Sequence, residues 1–193
     1  MKKITIKWLQ KHKACCSYED MQEAEKIGDL NKIINALIKN ERFFDANWLI
    51  SRYMTKIQCI EYAIFAAEQV LYLFEDTFPE DNRPRNAIKA AKKYLNTSIK
   101  ENAAANVAAN AADNAANAAY ANAAYAAAYA AYAATYAAAY AANAAAYAVD
   151  AAYANVAYAA DNADNADNAN ANVVKLKIKI LKKGIYILEQ EGK

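Results

Sequence analysis

The part of the chain that most restricts its fold is residues 98–158, which contain neither glycine nor proline and consist mainly of alanine. Alanine has the highest helix propensity of the natural residues, so this whole stretch is predicted to be helical. A single helix of that length would extend about 90 Å, whereas a compact domain of this size is about 35 Å across. We therefore expect long Ala/Tyr-rich helices that fold back on one another.

The N-terminal part is predicted to form several shorter helices, because its apolar residues recur at three- and four-residue spacing. Thr5 and Ser17 are typical of helix starts, and Gly28 is typical of a helix end. Thr55 and Gln58 form a capping-box pattern ahead of a strongly apolar segment. Each of these signals is local, so each predicts a helix boundary without knowledge of the tertiary fold.

The segment that follows Thr55 is predicted to be one uninterrupted helix. Its apolar residues form a continuous stripe as far as Phe74, and Phe78-Pro79 ends it. Pro84 then occupies a position suited to the first turn of another helix, whose inner face contains Ile88 and Ala91.

The C-terminal residues 173–188 allow two interpretations. Lys175 to Ile180 alternate between charged and apolar residues, which is typical of a strand. An amphipathic helix stripe is also present, formed by Val174, Ile178, Leu181, Ile185 and Leu188. The chain as a whole has only three glycines and two prolines, which excludes a turn-rich all-β fold, so we favour the helix.

The predicted fold class is therefore all-α, a compact multi-helix bundle. Residues 1–97 form a mixed-charge N-terminal helical part, and residues 98–193 form the Ala/Tyr/Asn-rich helices with a basic amphipathic C-terminal helix. We expect the two parts to make a single domain.

Charge is distributed unevenly, although the whole chain carries a formal charge of only +2. Residues 1–101 have a net charge of +3, residues 102–172 have −5 with no lysine or arginine, and residues 173–193 have +4. The small total gives no general attraction to nucleic acid, so no direct nucleic-acid partner is expected.

Residues 114–149 carry no charge, which raises the question of a membrane span. They contain a single valine and no leucine, isoleucine or phenylalanine, and those are the residues that drive insertion, so we expect no membrane contact. The three cysteines are odd in number and lack metal-site spacing, which favours a reducing cytoplasm.

Two polar patterns in the middle segment are candidate binding features. Tyrosines recur at helical spacing along one predicted face, and this tyrosine stripe is Tyr125, Tyr129, Tyr132, Tyr136, Tyr140 and Tyr147. If the segment that follows is helical, a three-residue repeat places three carboxylates on one side of it, Asp161, Asp164 and Asp167. The tyrosines are either packing between Ala-rich helices or a partner-lining face. The repeat lacks the glycine and closing glutamate of a calcium loop, so no metal is expected.

No catalytic constellation is present, and neither an enzyme nor a cofactor is expected. The chain has one histidine, His12, which we interpret as a surface residue, and it has no Gly-rich phosphate loop. Glu61, Glu68 and Glu75 are spaced by seven residues, about 10.5 Å of helix rise, which is too far for a catalytic pair. We interpret them as a solvated ridge on one helix.

Three blocks of the sequence resemble a known family. They are residues 46–55, 62–71 and 78–91, and a long Ala/Tyr/Asn tract follows them. Together they are similar to the Ala-rich immunity proteins of bacterial polymorphic toxin systems, which also occur in phages and mobile elements. The resemblance covers most of residues 4–160, but it carries over no binding residue.

The resemblance implies a non-enzymatic protein that neutralises a toxin by direct binding. The acidic, Tyr/Asn-rich middle segment would suit a basic target such as a nuclease. The alternative is a phage or mobile-element counter-defence protein that binds a host defence nuclease or sequesters a small signalling nucleotide. A homo-oligomer is left open.

The loop around Pro84 is a further candidate contact. Arg83 and Arg85 flank the proline and follow an acidic loop. One arginine either ties this loop to Glu68 or Glu75 through a bidentate pair, or contacts a partner. We favour the structural interpretation.

Overall fold

The computed structural model shows an all-α protein and describes residues 3–96 and 166–190. The chain divides into two compact units, residues 1–46 and 47–193. The helices in the described ranges are α1 (Ile6–Lys11), α2 (Tyr18–Ile27), α3 (Leu30–Lys39), α4 (Phe43–Tyr53), α5 (Lys56–Glu68), α6 (Leu71–Thr77), α7 (Arg83–Asn96) and α8 (Ala166–Glu189). No strand occurs within these ranges, which contain only one isolated bridge, between Lys3 and Asp29. The predicted fold class is confirmed.

The helix boundaries of the first unit follow from side-chain capping. The Thr5 hydroxyl accepts a hydrogen bond from the backbone N–H of Trp8. Ser17 and Asp20 form a reciprocal capping box at the start of α2. Gly28 ends α2 with a φ of 70°, a left-handed conformation that glycine adopts without strain. The predicted helix starts and the predicted stop are confirmed.

Arg42 links the starts of two helices of the first unit, α2 and α4. Its Nη1 lies 2.5 Å from Asp20 Oδ1, and its Nε lies 2.7 Å from Asp45 Oδ2. Hydrogen bonds from this guanidinium lower the pKa of the Asp20 carboxyl below its ordinary value of 3.8. The two ion pairs of Arg42 therefore join the first turn of α2 to the first turn of α4.

In the second unit α5 is the central element. Its capping box is confirmed, since Thr55 accepts from the Gln58 N–H and the Gln58 side chain accepts from the Thr55 N–H. Eight of its 13 residues are buried, and it packs against both α7 and α8. The Gln58 amide also donates to the carbonyl oxygen of Ile187 at 2.9 Å, so the start of α5 is bonded to the end of α8.

The prediction of one uninterrupted helix from Thr55 to Phe74 is wrong. Helix α5 ends at Glu68 and α6 begins at Leu71. The last turn tightens, because the Gln69 N–H donates to the carbonyl of Ala66 as well as that of Phe65, and the Val70 N–H donates to Ala67. The Gln69 side-chain amide donates to the Phe65 carbonyl at 3.1 Å, which satisfies the end of the helix without a glycine or proline.

The C-terminal residues form a helix, as predicted, but the predicted buried stripe is displaced by about one residue. Val174, Ile178 and Ile185 are only half-buried. The buried apolar residues of α8 are instead Val173, Ile180, Leu181, Ile187 and Leu188. Only two residues of the predicted stripe, Leu181 and Leu188, are buried.

Gly184 explains where the inner face of α8 lies. A Cβ atom at this position would be 2.8 Å from Cγ2 of Ile50 and 3.0 Å from Cε2 of Tyr62. Both of those residues are fully buried. The absence of a side chain at Gly184 therefore lets α8 approach α4 and α5 more closely than any other residue would allow.

Several predictions fall outside the described residues. They are the folded-back Ala/Tyr helices, the tyrosine stripe and the aspartates at 161 and 164. Asp167 lies in the first turn of α8. The division at residues 97 and 98 stays a prediction.

Candidate partner-binding surface

Three carboxylates that were predicted to share one helix are distributed over two helices of the second unit. Glu61 and Glu68 lie on α5, whereas Glu75 lies on α6, so the prediction of a ridge on one helix is wrong. Each carboxylate forms an ion pair with a cation from another helix. Glu61 Oε1 lies 3.1 Å from Nζ of Lys183 on α8. Glu68 Oε1 lies 2.5 Å from Nζ of Lys92 on α7. The carboxylates are therefore part of the contacts that tie the helices together.

The third of these links is the bidentate one. Arg85 Nε lies 2.6 Å from Glu75 Oε1, and Arg85 Nη2 lies 2.5 Å from Oε2. Hydrogen bonding to this carboxylate raises the pKa of the Arg85 guanidinium. Parallel N–H···O bonds of this kind fix orientation as well as distance, so the start of α7 is held against α6.

Arg83 forms its side-chain hydrogen bonds with the loop that precedes α7. Its Nε and Nη2 both bond the carboxylate of Asp81, at 2.9 and 2.7 Å to the nearer oxygens. These hydrogen bonds lower the pKa of Asp81 below its ordinary value. Arg83 and Arg85 thus hold the loop and helix start around Pro84, and a partner contact by either residue stays a prediction.

Two aromatic side chains are exposed close to these ion pairs in the sequence. Tyr72 on α6 is 56% exposed, and Phe78 just after α6 is 44% exposed. Tyr72 and Glu75 are three residues apart on one helix and so lie on one face. Exposed aromatic residues and arginines are both enriched in binding surfaces. Tyr72 and Phe78 are not among the residues predicted to contact a partner, although Tyr72 lies off the apolar stripe and could have been identified by that position.

On α8 the side chain of Lys183 is held by aromatic rings as well as by Glu61. Its Nζ lies 5.8 Å from the ring centre of Phe65 and 4.8 Å from that of Tyr186. These distances are within the range of cation–π attraction. Tyr186 is nevertheless 53% exposed, so one part of its surface is free to meet another molecule.

A buried polar network supports the surface from inside. The Tyr62 hydroxyl donates to Asn47 Oδ1 at 2.9 Å, and burial raises the Tyr62 pKa well above its ordinary value of 10.0. The Cys59 thiol donates to the Ser51 carbonyl, and burial raises the pKa of Cys59 to about 11. A thiol with so high a pKa stays protonated at neutral pH, so Cys59 is not a nucleophile.

The other candidate reactive groups of the described ranges are His12, Cys15 and Cys16. His12 is half-buried rather than a free surface residue, because its ring stacks on Trp8 at 4.0 Å and its Nδ1 lies 2.8 Å from the Trp8 carbonyl oxygen. Cys15 and Cys16 are free thiols. No group of three or more His, Cys, Asp or Glu residues suited to a metal ion occurs in residues 3–96 and 166–190. None of the helices described is both long and apolar enough to cross a membrane.

The family of the chain is shown by a match to a family model. No curated protein and no solved structure matches the chain. The model described as Imm-5 like putative immunity protein matches residues 50–176, which include α5, α6, α7 and the first half of α8. The resemblance to immunity proteins is confirmed at this level, while the association with polymorphic toxins, phages and mobile elements stays a prediction. The match covers well over half of the sequence, and the chain belongs to the Imm-5 like immunity protein family.

Proposed function

We propose that this protein neutralises a toxin by binding it directly and without catalysis. The observation that carries the proposal is the family match over residues 50–176, which includes the whole of the central helix α5. An immunity protein that acts in this way needs affinity for its toxin and a complementary surface, and it needs no chemistry of its own. The counter-defence alternative is not favoured by this family.

The second unit supplies the rigidity that direct inhibition requires. Helix α5 is capped at its start, buried along most of its length and paired through Glu61 and Glu68 with two other helices. A surface that is already ordered loses little conformational entropy on binding, so more of the contact energy appears as affinity. The described helices of the second unit therefore offer an ordered support for a contact surface.

The contact surface that we propose for the toxin is the acidic middle segment. Residues 102–172 carry a net charge of −5 and nine tyrosines. Tyrosine combines a large contact area with few rotatable bonds, and the negative charge attracts a basic target. A nuclease, whose nucleic-acid groove is basic, is the target that this segment suits best. The proposal rests on sequence, since residues 102–165 lie outside the described ranges.

We also propose that the protein acts in the cytoplasm. Its three cysteines are free thiols, and Cys15 is exposed. Exposed free thiols persist in a reducing compartment and oxidise outside it.

The test is co-expression with each candidate toxin encoded by a gene that neighbours the gene of this chain. Growth should be restored only when both proteins are produced, and the two should elute together from a size-exclusion column. A scrambled-sequence chain of equal composition, produced at the same level, is the control for effects of expression. Restored growth without a complex, or a complex without restored growth, would contradict direct neutralisation.

A further inference from the structure

The outer face of α8 carries a row of lysines at regular helical spacing. Lys175, Lys179 and Lys182, which we call the α8 lysine stripe, are all exposed, and Tyr186 continues the row. At 3.6 residues per turn these four positions fall within an arc of about 60° and extend over about 16 Å. The buried residues of α8, centred on Gly184, lie on the opposite side of the helix.

In the described part of the chain, no carboxylate is paired with the α8 lysine stripe. The chain has no aspartate or glutamate from residue 168 to residue 188, while it has five lysines from 175 to 183. The two glutamates of α5 that face its neighbours are already paired, Glu61 with Lys183 and Glu68 with Lys92. Within the residues that the structure describes, none of the three stripe lysines forms an ion pair.

Tyr186 adds an apolar contact at the end of the row. Its ring is held in place by the ammonium of Lys183 at 4.8 Å, and about half of the side chain remains exposed. A rigid, half-exposed tyrosine beside a line of cations is suited to a protein surface that presents both carboxylates and apolar groups.

We propose that the α8 lysine stripe docks an acidic region of the protein partner. This inference rests on the proposed function for the existence of that partner, and adds a second contact of opposite charge to the acidic middle segment. Unpaired like charges on one helix face repel one another, and carboxylates brought by a partner replace that repulsion with attraction. The stripe also steers the partner during approach, so its effect falls as salt concentration rises.

A membrane and a nucleic acid fit the same lysines less well. A basic helix that lies on a membrane inserts its apolar face among the lipids, but the apolar face of α8 is covered by α5. Nucleic-acid-binding domains have a strong positive charge overall, whereas this chain has a net charge of +2. Of these three kinds of external molecule, an acidic protein surface fits the stripe best.

The test uses fluorescein-labelled poly-L-glutamate as the acidic probe and fluorescence anisotropy at about 50 mM salt. The stripe variant replaces all three stripe lysines by Gln. The matched control replaces Lys7, Lys26 and Lys32 by Gln. These lysines are also exposed, and their replacement changes the net charge by the same amount. We expect the stripe variant to bind about tenfold or more weakly than the unmodified chain, and the control to change by less than about twofold, since each lost ionic contact lowers affinity severalfold.

Equal losses in the two variants would overturn the proposal, because net charge alone would then explain binding. Retention of a DNA duplex of about 20 base pairs at about 150 mM salt, lost in the stripe variant, would assign the surface to nucleic acid instead. Poly-L-glutamate is not the toxin, so this result does not depend on the growth assay and the two proposals can fail separately.

Discussion

Replacing Gly184 by Ala should destabilise the protein, although alanine is the better helix former. The new Cβ would lie 2.8 Å from Ile50 Cγ2 and 3.0 Å from Tyr62 Cε2, closer than side-chain carbons approach. Neither neighbour can move freely, since both are fully buried and the Tyr62 hydroxyl is bonded to Asn47. Overpacking of this kind costs about 1–3 kcal/mol, and the higher helix propensity of alanine returns about 1 kcal/mol. We expect Gly184→Ala to lower the free energy of unfolding by up to about 2 kcal/mol.

Urea unfolding followed by circular dichroism measures this loss as a lower midpoint with an unchanged slope. The control is the same substitution in an Ile50→Ala background, which removes the nearer clash. Ile50→Ala alone should cost about 2–5 kcal/mol, but Gly184→Ala should then cost at least about 1 kcal/mol less than in the unmodified chain. A Gly184→Ala protein more stable than the unmodified one, or a Gly184→Ala cost that is the same in the Ile50→Ala background, would refute the close-packing argument.

Four further predictions concern the buried network and the candidate contacts. Tyr62→Phe should lower the free energy of unfolding by about 1–3 kcal/mol, because the buried Asn47 Oδ1 loses the hydrogen bond from the Tyr62 hydroxyl. Urea unfolding measures this loss. Because the pKa of Cys59 is raised by burial, its thiol ionises at lower pH in the unfolded chain than in the folded one. The free energy of unfolding should therefore fall as pH rises from 9.0 towards about 11. Cys59→Ala should make this fall smaller when unfolding is measured across that pH range. Arg85→Ala should lower the melting temperature because it removes a bidentate pair, and an unchanged melting temperature with lost protection would contradict the structural interpretation. Paired Tyr→Ala substitutions at exposed positions of residues 125–147 should weaken toxin binding in calorimetry without lowering the melting temperature, whereas lost stability with unchanged affinity would leave only a packing role.

The helix starts of this protein could be predicted from sequence because their causes are local. Ser17 and Thr55 each bond a residue three positions later, so both partners of the cap are visible in a short window of sequence. The break at Gln69 could not be predicted, since the apolar stripe continues through it. A glutamine amide, rather than a glycine or proline, satisfies the end of α5.

The orientation of α8 needed tertiary information. Apolar residues occupy two adjacent faces of this helix, so periodicity alone allows either face to be buried. The choice depends on Gly184, whose neighbours Ile50 and Tyr62 are more than 120 residues away in sequence. The same distance separates Glu61 from Lys183, which is why the sequence did not indicate which cations would be paired and which would remain on the surface.

A titration of toxin activity against this protein tests the central claim most directly. The toxin identified by co-expression is held at a fixed concentration well above the dissociation constant, and the chain is added in steps. Direct, non-catalytic binding predicts that activity falls linearly and reaches zero when the two proteins are present in a fixed whole-number ratio. Complete inactivation by a small fraction of that amount, or activity that persists in excess of the chain, would contradict the account.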